Sequence, residues 1–288
     1  MWNHHFIEAN RVRLHYVAAG EGEPVVLLHG FPEFWYSWRY QIPFLANYFR
    51  VIVPDLRGYN DSEKPLTGYD LATVTDDIRC LIENLGYRCA HVVGHDMGGA
   101  IAWNLAQQFP QSIDRLGILN APHPQKFMQS LASNLDQARR SWYMFAFQVP
   151  LLPEWLIQRN LRNFLQNALR EQAIRKGVFT REHTEIYEAA LNKPGAIAAT
   201  LNYYRQMLTP GAWIQQLLKP TKLVQAPTLV LWSAEDAFLS QQLVQGLENW
   251  VAAPLDLKFV PDCGHWMQQE APQTVNRELL NFLRRPSH

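Results

Sequence analysis

Apolar residues fall along this chain in two rhythms. Short unbroken runs occur at 24–28, 51–53, 90–93, 116–119, 228–232 and 257–260. Runs of that length suit strands buried on both faces, and they are too short for buried helices. Residues 13–18 alternate instead, which predicts a strand with one wet face. Between these runs, 71–85, 100–109 and 275–283 carry apolar side chains near every third or fourth place, the period of an amphipathic helix. Strands alternating with helices predict βαβ units and a mostly parallel central sheet with flanking helices, an α/β fold.

One stretch breaks the alternation. From 122 to 222 no strand run occurs; Gln, Leu, Arg and aromatic residues dominate, with Pro150 and Pro153 as expected breaks. The expectation is a helical lid inserted between two sheet strands, with 1–121 and 223–288 forming the core and 122–222 the cap. The chain has 288 residues, 48% of them apolar, enough for one large domain with such an insertion. Lys plus Arg and Asp plus Glu number 26 each, so there is no net field to draw in nucleic acid or an anionic membrane. No run of about 20 apolar residues predicts a membrane span, and 1–10 lack the apolar stretch of a signal peptide. Cys80, Cys89 and Cys263 are odd in number and share no metal-type spacing, which reads as reduced thiols in a cytoplasmic protein. His4 and His5 read as part of a solvated terminus rather than a metal site, and no cofactor is implied.

The chemistry concentrates just after three of the apolar runs. Gly94-His95-Asp96-Met97-Gly98 follows one and precedes a helix. This is the Gly-x-nucleophile-x-Gly turn between strand and helix, with Asp in the nucleophile's place. Glycines are needed there because a side chain two residues to either side would strike the neighbouring strand or helix. Asp236 follows 228–232, and His265 follows 257–260. Nucleophile, acid and base thus appear in that order, each past a strand's C-terminal end, where open α/β sheets build their sites. Glu235 and Asp262 are rival acids.

Longer motifs add a resemblance. His29-Gly30-Phe31-Pro32, its continuation Glu33 to Gln41, the loop Asp55 to Ser62, and Asp262-Cys263-Gly264-His265-Trp266 are similar to the corresponding segments of epoxide hydrolases of the α/β-hydrolase superfamily, over nearly the whole chain. The resemblance implies the α/β-hydrolase fold, with Asp96 as nucleophile, His265 as base and Asp236 as acid. It implies an oxyanion hole from the backbone N–H groups of Phe31 and Met97, and a cis peptide between Phe31 and Pro32. Two lid tyrosines would hold the epoxide oxygen: Asn202-Tyr203-Tyr204-Arg205 points to Tyr204, and Trp142-Tyr143 ahead of Phe147-Gln148 points to Tyr143. Phe31, Met97, Phe238, Leu239 and Trp266 are expected to face an apolar pocket. The implied partners are a small apolar epoxide and water, with no nucleic acid and no membrane insertion.

The reaction itself asks for these residue types. A carboxylate is ionised near neutral pH and attacks a saturated carbon without a base. The ring oxygen leaves as a strong base, so phenol donors suit it. The rival is a dehalogenase with the same Asp, acid and His. Halide release favours polar N–H donors such as the Trp that haloalkane dehalogenases place after the nucleophile, where Met97 stands. Fluoroacetate dehalogenases resemble the chain too but set Arg at and near that place, where Met97 and Ala100 offer no cation. A non-catalytic ligand receptor of the same fold is the remote alternative, and the complete acid-base set argues against it.

Overall fold

The computed structural model describes residues 2–218, 220 and 222–285; of the segments delimited above, Met1, Lys219, Thr221 and 286–288 lie outside it. Eight strands form one sheet: β1 (Asn3–Ala9), β2 (Val12–Ala19), β3 (Pro24–Leu28), β4 (Arg50–Pro54), β5 (Ala90–His95), β6 (Ile113–Leu119), β7 (Thr228–Ser233) and β8 (Leu255–Val260). Their order is β1-β2-β4-β3-β5-β6-β7-β8. β1 pairs with β2, and β2 with β4, antiparallel; from β4 to β8 every pairing is parallel. Each apolar run read from the sequence lies within one of these strands. β5 and β7 are buried along their whole length, which is why their sequences are unbroken rather than alternating.

The first ten residues depart from expectation. Instead of a solvated terminus, 3–9 form the edge strand β1, in register with β2 from Asn3 opposite Ala18 to Ala9 opposite Val12. Most of β1 stays exposed or half-exposed, so no apolar signature marks it in the sequence. His4 is not free: its Nδ1 lies 2.9 Å from Nε2 of His15 on β2.

The helix Leu71–Asn84 opens where the Asp70 carboxylate accepts the N–H of Thr73. The helix Met97–Gln108 begins three residues before its expected start, because Gly98 and Gly99 carry no side chains to display a period. It packs on β5 and β6, and Leu279 of the helix Pro272–Leu283 faces Gly117 of β6. Between β6 and β7 the described residues contain helices and no sheet strand. They run from Pro124–Ser133 through Leu135–Arg140, Trp142–Ala146, Leu152–Arg159, Leu161–Leu165, Arg181–Leu191 and Ala196–Met207 to Pro210–Leu218. Pro150 falls between two of these helices, as expected. Pro153, expected to be a break, instead sits in the first turn of Leu152–Arg159, where its missing N–H costs nothing. Among the described residues, no helix is long and apolar enough to cross a membrane.

Candidate active site

Asp96 occupies the tight turn between β5 and the helix Met97–Gln108, at φ 49° and ψ −119°, a left-handed φ that few non-glycine residues adopt. The glycines around it have measurable reasons. A Cβ on Gly98 would press into the backbone carbonyls of Leu28, the last residue of β3, and His29 just after it, and one on Gly94 into the backbone of Gly98. A Cβ on Gly30 would run into the Asp96 carboxylate. The turn therefore pins the helix against β3 and leaves the Asp96 side chain 20% exposed at the sheet edge.

The loops after β7 and β8 bring the other two groups. His265 Nδ1 lies 2.7 Å from Asp236 Oδ2, and His265 Nε2 lies 3.8 Å from Asp96 Oδ1. The second Asp236 oxygen accepts the N–H groups of Phe238 and Leu239 at 2.8 and 3.0 Å, so the carboxylate cannot turn. Of the rival acids, Glu235 is exposed and Asp262 sits at a positive φ on the surface; neither touches His265. Burial opposes a charge on His265, but Asp236, by charge and hydrogen bond, outweighs it with help from Asp96 and Glu33 and lifts the pKa to about 9. The Phe31 N–H donates to Asp96 Oδ2 at 2.9 Å, which leaves Oδ1 uncommitted. Met97 is the first residue of its helix, so its N–H is one of the orphan donors of the first turn. The Phe31–Pro32 peptide is cis.

Two tyrosines from the helical segment meet over Asp96. The rings of Tyr143 and Tyr204 stand 5.8 Å apart and nearly perpendicular, and both line the cavity that Asp96 opens into. Burial first, and the Asp96 carboxylate next, push both phenols well above the ordinary tyrosine value, so both stay protonated. Tyr203, one position away, also borders the cavity, but its hydroxyl is committed: it donates to the Arg57 carbonyl at 2.8 Å.

A profile described as the alpha/beta hydrolase fold matches residues 23–272. The chain belongs to the α/β-hydrolase family. Among its relatives, human "Epoxide hydrolase 4" is 35% identical over 96% of this chain and 77% of that protein. The "Soluble epoxide hydrolase" of Corynebacterium sp. (strain C12) is 34% identical over 97% of this chain and 96% of its own. The crystal structure of a Bacillus megaterium epoxide hydrolase in complex with an inhibitor superposes with a TM-score of 0.88 at 32% identity, covering 98% of this chain and 100% of that one.

The cavity of this α/β-hydrolase measures about 740 Å³. Of the residues expected to face it, Met97 and Leu239 do; Phe31, Phe238 and Trp266 stand outside its lining. Phe31 is turned into a ring cluster with Phe147, Phe164 and Tyr204. Phe238 packs on Tyr143 and His265, and Trp266 lies behind His265 with its Nε1 donating to the Ala168 carbonyl. All three pack directly on Tyr143, Tyr204 or His265.

Sequence reasoning missed the groups that hold the loops. Asn120, at the end of β6, donates from Nδ2 to the carbonyls of Gly264 and His265 and accepts the N–H of Ser233. One side chain thus ties the acid loop to the base loop. His95 lies between the His265 carbonyl and the fully buried Glu33, 2.9 Å from each, and Glu33 also accepts from Gln268 and Gln269. Only the position of Asn120 just past an apolar run, the same cue that marked Asp236, could have singled it out.

Proposed function

We propose that this protein hydrolyses an apolar epoxide to a vicinal diol through a covalent ester on Asp96. The observation that carries the reading is the pair of protonated cavity phenols, Tyr143 and Tyr204, over a carboxylate held at the nucleophile's turn. The free Asp96 Oδ1 attacks a ring carbon, the carbon–oxygen bond breaks, and the departing oxygen takes a phenol proton. The product is a hydroxy ester. Water then adds to the ester carbonyl while His265 Nε2 takes its proton, and the N–H groups of Phe31 and Met97 stabilise the oxyanion. On collapse the leaving diol oxygen takes the proton back from His265, and the proton left on the Asp96 carboxyl returns to the phenolate, which restores both groups. The raised pKa of His265 fits this order. Its proton is held partly by the charge on Asp96, and esterification removes that charge just when a neutral imidazole is required.

The same reading takes 122–222 as a lid that supplies the phenols, with 1–121 and 223–288 as the core that supplies Asp96, Asp236 and His265. Water and a small apolar epoxide are the only partners it needs. The three cysteines, unpaired in the structure, suit a reducing compartment, and the protein is read as cytoplasmic. The dehalogenase alternative would use the same three residues but has no use for two phenols, and Met97 and Ala100 place no cation beside Asp96.

The test is to trap the ester. His265→Gln should still open the ring, since a carboxylate needs no base, but should stall at hydrolysis. Intact-protein mass should then rise by one epoxide and stay there. In a Tyr143→Phe/Tyr204→Phe background the same adduct should form roughly a hundredfold or more slowly, the scale of losing positioned donors. An adduct that forms as fast without the phenols, or that persists on Asp96→Ala, sinks the reading.

A further inference from the structure

One side of the sheet closes on β8, which pairs only with β7. Such a strand presents one row of backbone groups to its neighbour and a second row outward. The Thr228 N–H donates to the Pro254 carbonyl at 2.9 Å, so 254, 256, 258 and 260 turn their backbone groups toward β7. Leu255, Leu257 and Phe259 therefore turn theirs outward. Pro261, with no N–H, ends that row. The same three residues put their side chains on one face of the strand. On that face Phe259 is 50% exposed and Leu257 36% exposed, so the outer part of the strand is apolar and open.

The other face carries Asp256 and Lys258. Each has one local partner: Asp256 meets Arg285 and Lys258 meets Glu278, both at 2.7 Å. Neither is buried, so each has room for a second partner. A lysine on an edge strand ordinarily guards it against pairing. Here an aspartate two residues away makes the edge self-complementary. Consider a second β8 laid antiparallel on the first, about a two-fold axis through Leu257. Outward groups then meet outward groups at 255 with 259, at 257 with 257 and at 259 with 255, which is the hydrogen-bonding pattern of an antiparallel ladder. Asp256 falls opposite Lys258 of the second copy, twice, and Leu255 falls opposite Phe259. Moving the axis by one residue sets Asp256 against Asp256, or Lys258 against Lys258, which disfavours both neighbouring registers. Charge thus selects one register among those the backbone permits. In it, Arg285, Asp256, Lys258 of the second copy and Glu278 of the second copy alternate in sign across the join.

We propose that β8 is a homodimer interface, at which two copies of this chain join edge to edge about Leu257 and one sheet runs through both. A contact of this symmetry is satisfied by two copies and does not propagate.

Charge exchange tests it, read by sedimentation velocity from micromolar to submillimolar protein. The unmodified protein should show a dimer that dissociates on dilution. Asp256→Lys alone, and Lys258→Asp alone, each set like charges opposite one another twice and should weaken that dimer about tenfold or more. Mixed in equal amounts, the two single variants should associate with each other about as tightly as the unmodified protein, because Lys then meets Asp at both places. The double variant Asp256→Lys/Lys258→Asp should likewise regain self-association. Leu257→Pro removes the outward N–H at the centre of the ladder and should abolish the dimer. Melting curves show whether each variant is folded. A protein that stays monomeric at every concentration overturns the proposal. So does a dimer that both single charge reversals leave untouched, or a pair of folded single variants that do not associate when mixed.

Discussion

His265 carries the most consequential titration in the molecule. Its pKa stands at about 9 in the fold against an ordinary 6.5. A group whose folded pKa lies above its unfolded value contributes stability that is complete below the unfolded pKa. That contribution is therefore full below about pH 6.5 and disappears as pH rises through 9. The expected observation is a melting-temperature gap between the unmodified protein and His265→Gln that is widest below pH 6.5 and narrows towards pH 9. A gap that widens over that range would show that Asp236 does not hold the imidazole as described. At the same scale, Asp96 shows how two oxygens of one carboxylate are separated: a backbone N–H takes Oδ2 and leaves Oδ1 free.

At the scale of elements, the turn around Asp96 depends on a helix pressed against a strand. Gly98 is the contact point, and the atoms a Cβ would meet are backbone carbonyls at the end of β3, which cannot step aside. Gly98→Ala should cost at least about 2 kcal/mol in chemical denaturation, at the upper end of overpacking penalties, because no side-chain rotation relieves it. A loss below about 0.5 kcal/mol, the scale of a neutral surface change, would contradict the close approach. Much of this was legible in the sequence. Asp96, Asp236 and His265 each follow an unbroken apolar run, so strand ends and reactive groups could be read together. Tyr204 was legible only through its neighbours in a motif, since Tyr203 beside it has the same chemistry and faces the Arg57 carbonyl instead. The strand β1 was not legible, because an edge strand that buries little need not alternate. One wall of the cavity was not legible either. Residues near 10, 70 and 108 meet there only after β1 and two helices have packed, and no local period records that meeting.

Across the whole molecule, the helical segment is fastened to the sheet at the loops that carry Asp236 and His265. Gln137 donates to the Phe238 carbonyl and accepts the N–H of Ser240, and Arg140 donates to the Asp236 carbonyl. On the other side, Glu270 accepts Ile174 and Arg175 N–H with one oxygen and Gly264 N–H with the other. The acid loop and the base loop are each shared between sheet and helices, so the phenols and the carboxylate keep a common frame.

Tyr203 and Tyr204 sit side by side on Ala196–Met207 and both border the cavity, but the Tyr203 hydroxyl is engaged by the Arg57 carbonyl, and this makes the segment unequal in its tolerance of length changes. Adding one residue within a helix turns everything beyond it by about 100°. Removing one residue, Leu201, turns it by the same amount the other way, brings Arg205 to the place of Tyr204 and should abolish epoxide turnover. The loop at Gly177 has no such clock. That glycine is exposed at φ 88° and has nothing within 4 Å of where a side chain would start. Lengthening a loop there by a few residues costs only fractions of a kcal/mol in closure entropy. Insertions of one to four residues after Gly177 should leave turnover within about twofold of the unmodified protein, and a library scored for activity would read this directly. Natural length variation in this helical segment is therefore expected to collect at sites like Gly177 and to skip the turns between Gly195 and Tyr204.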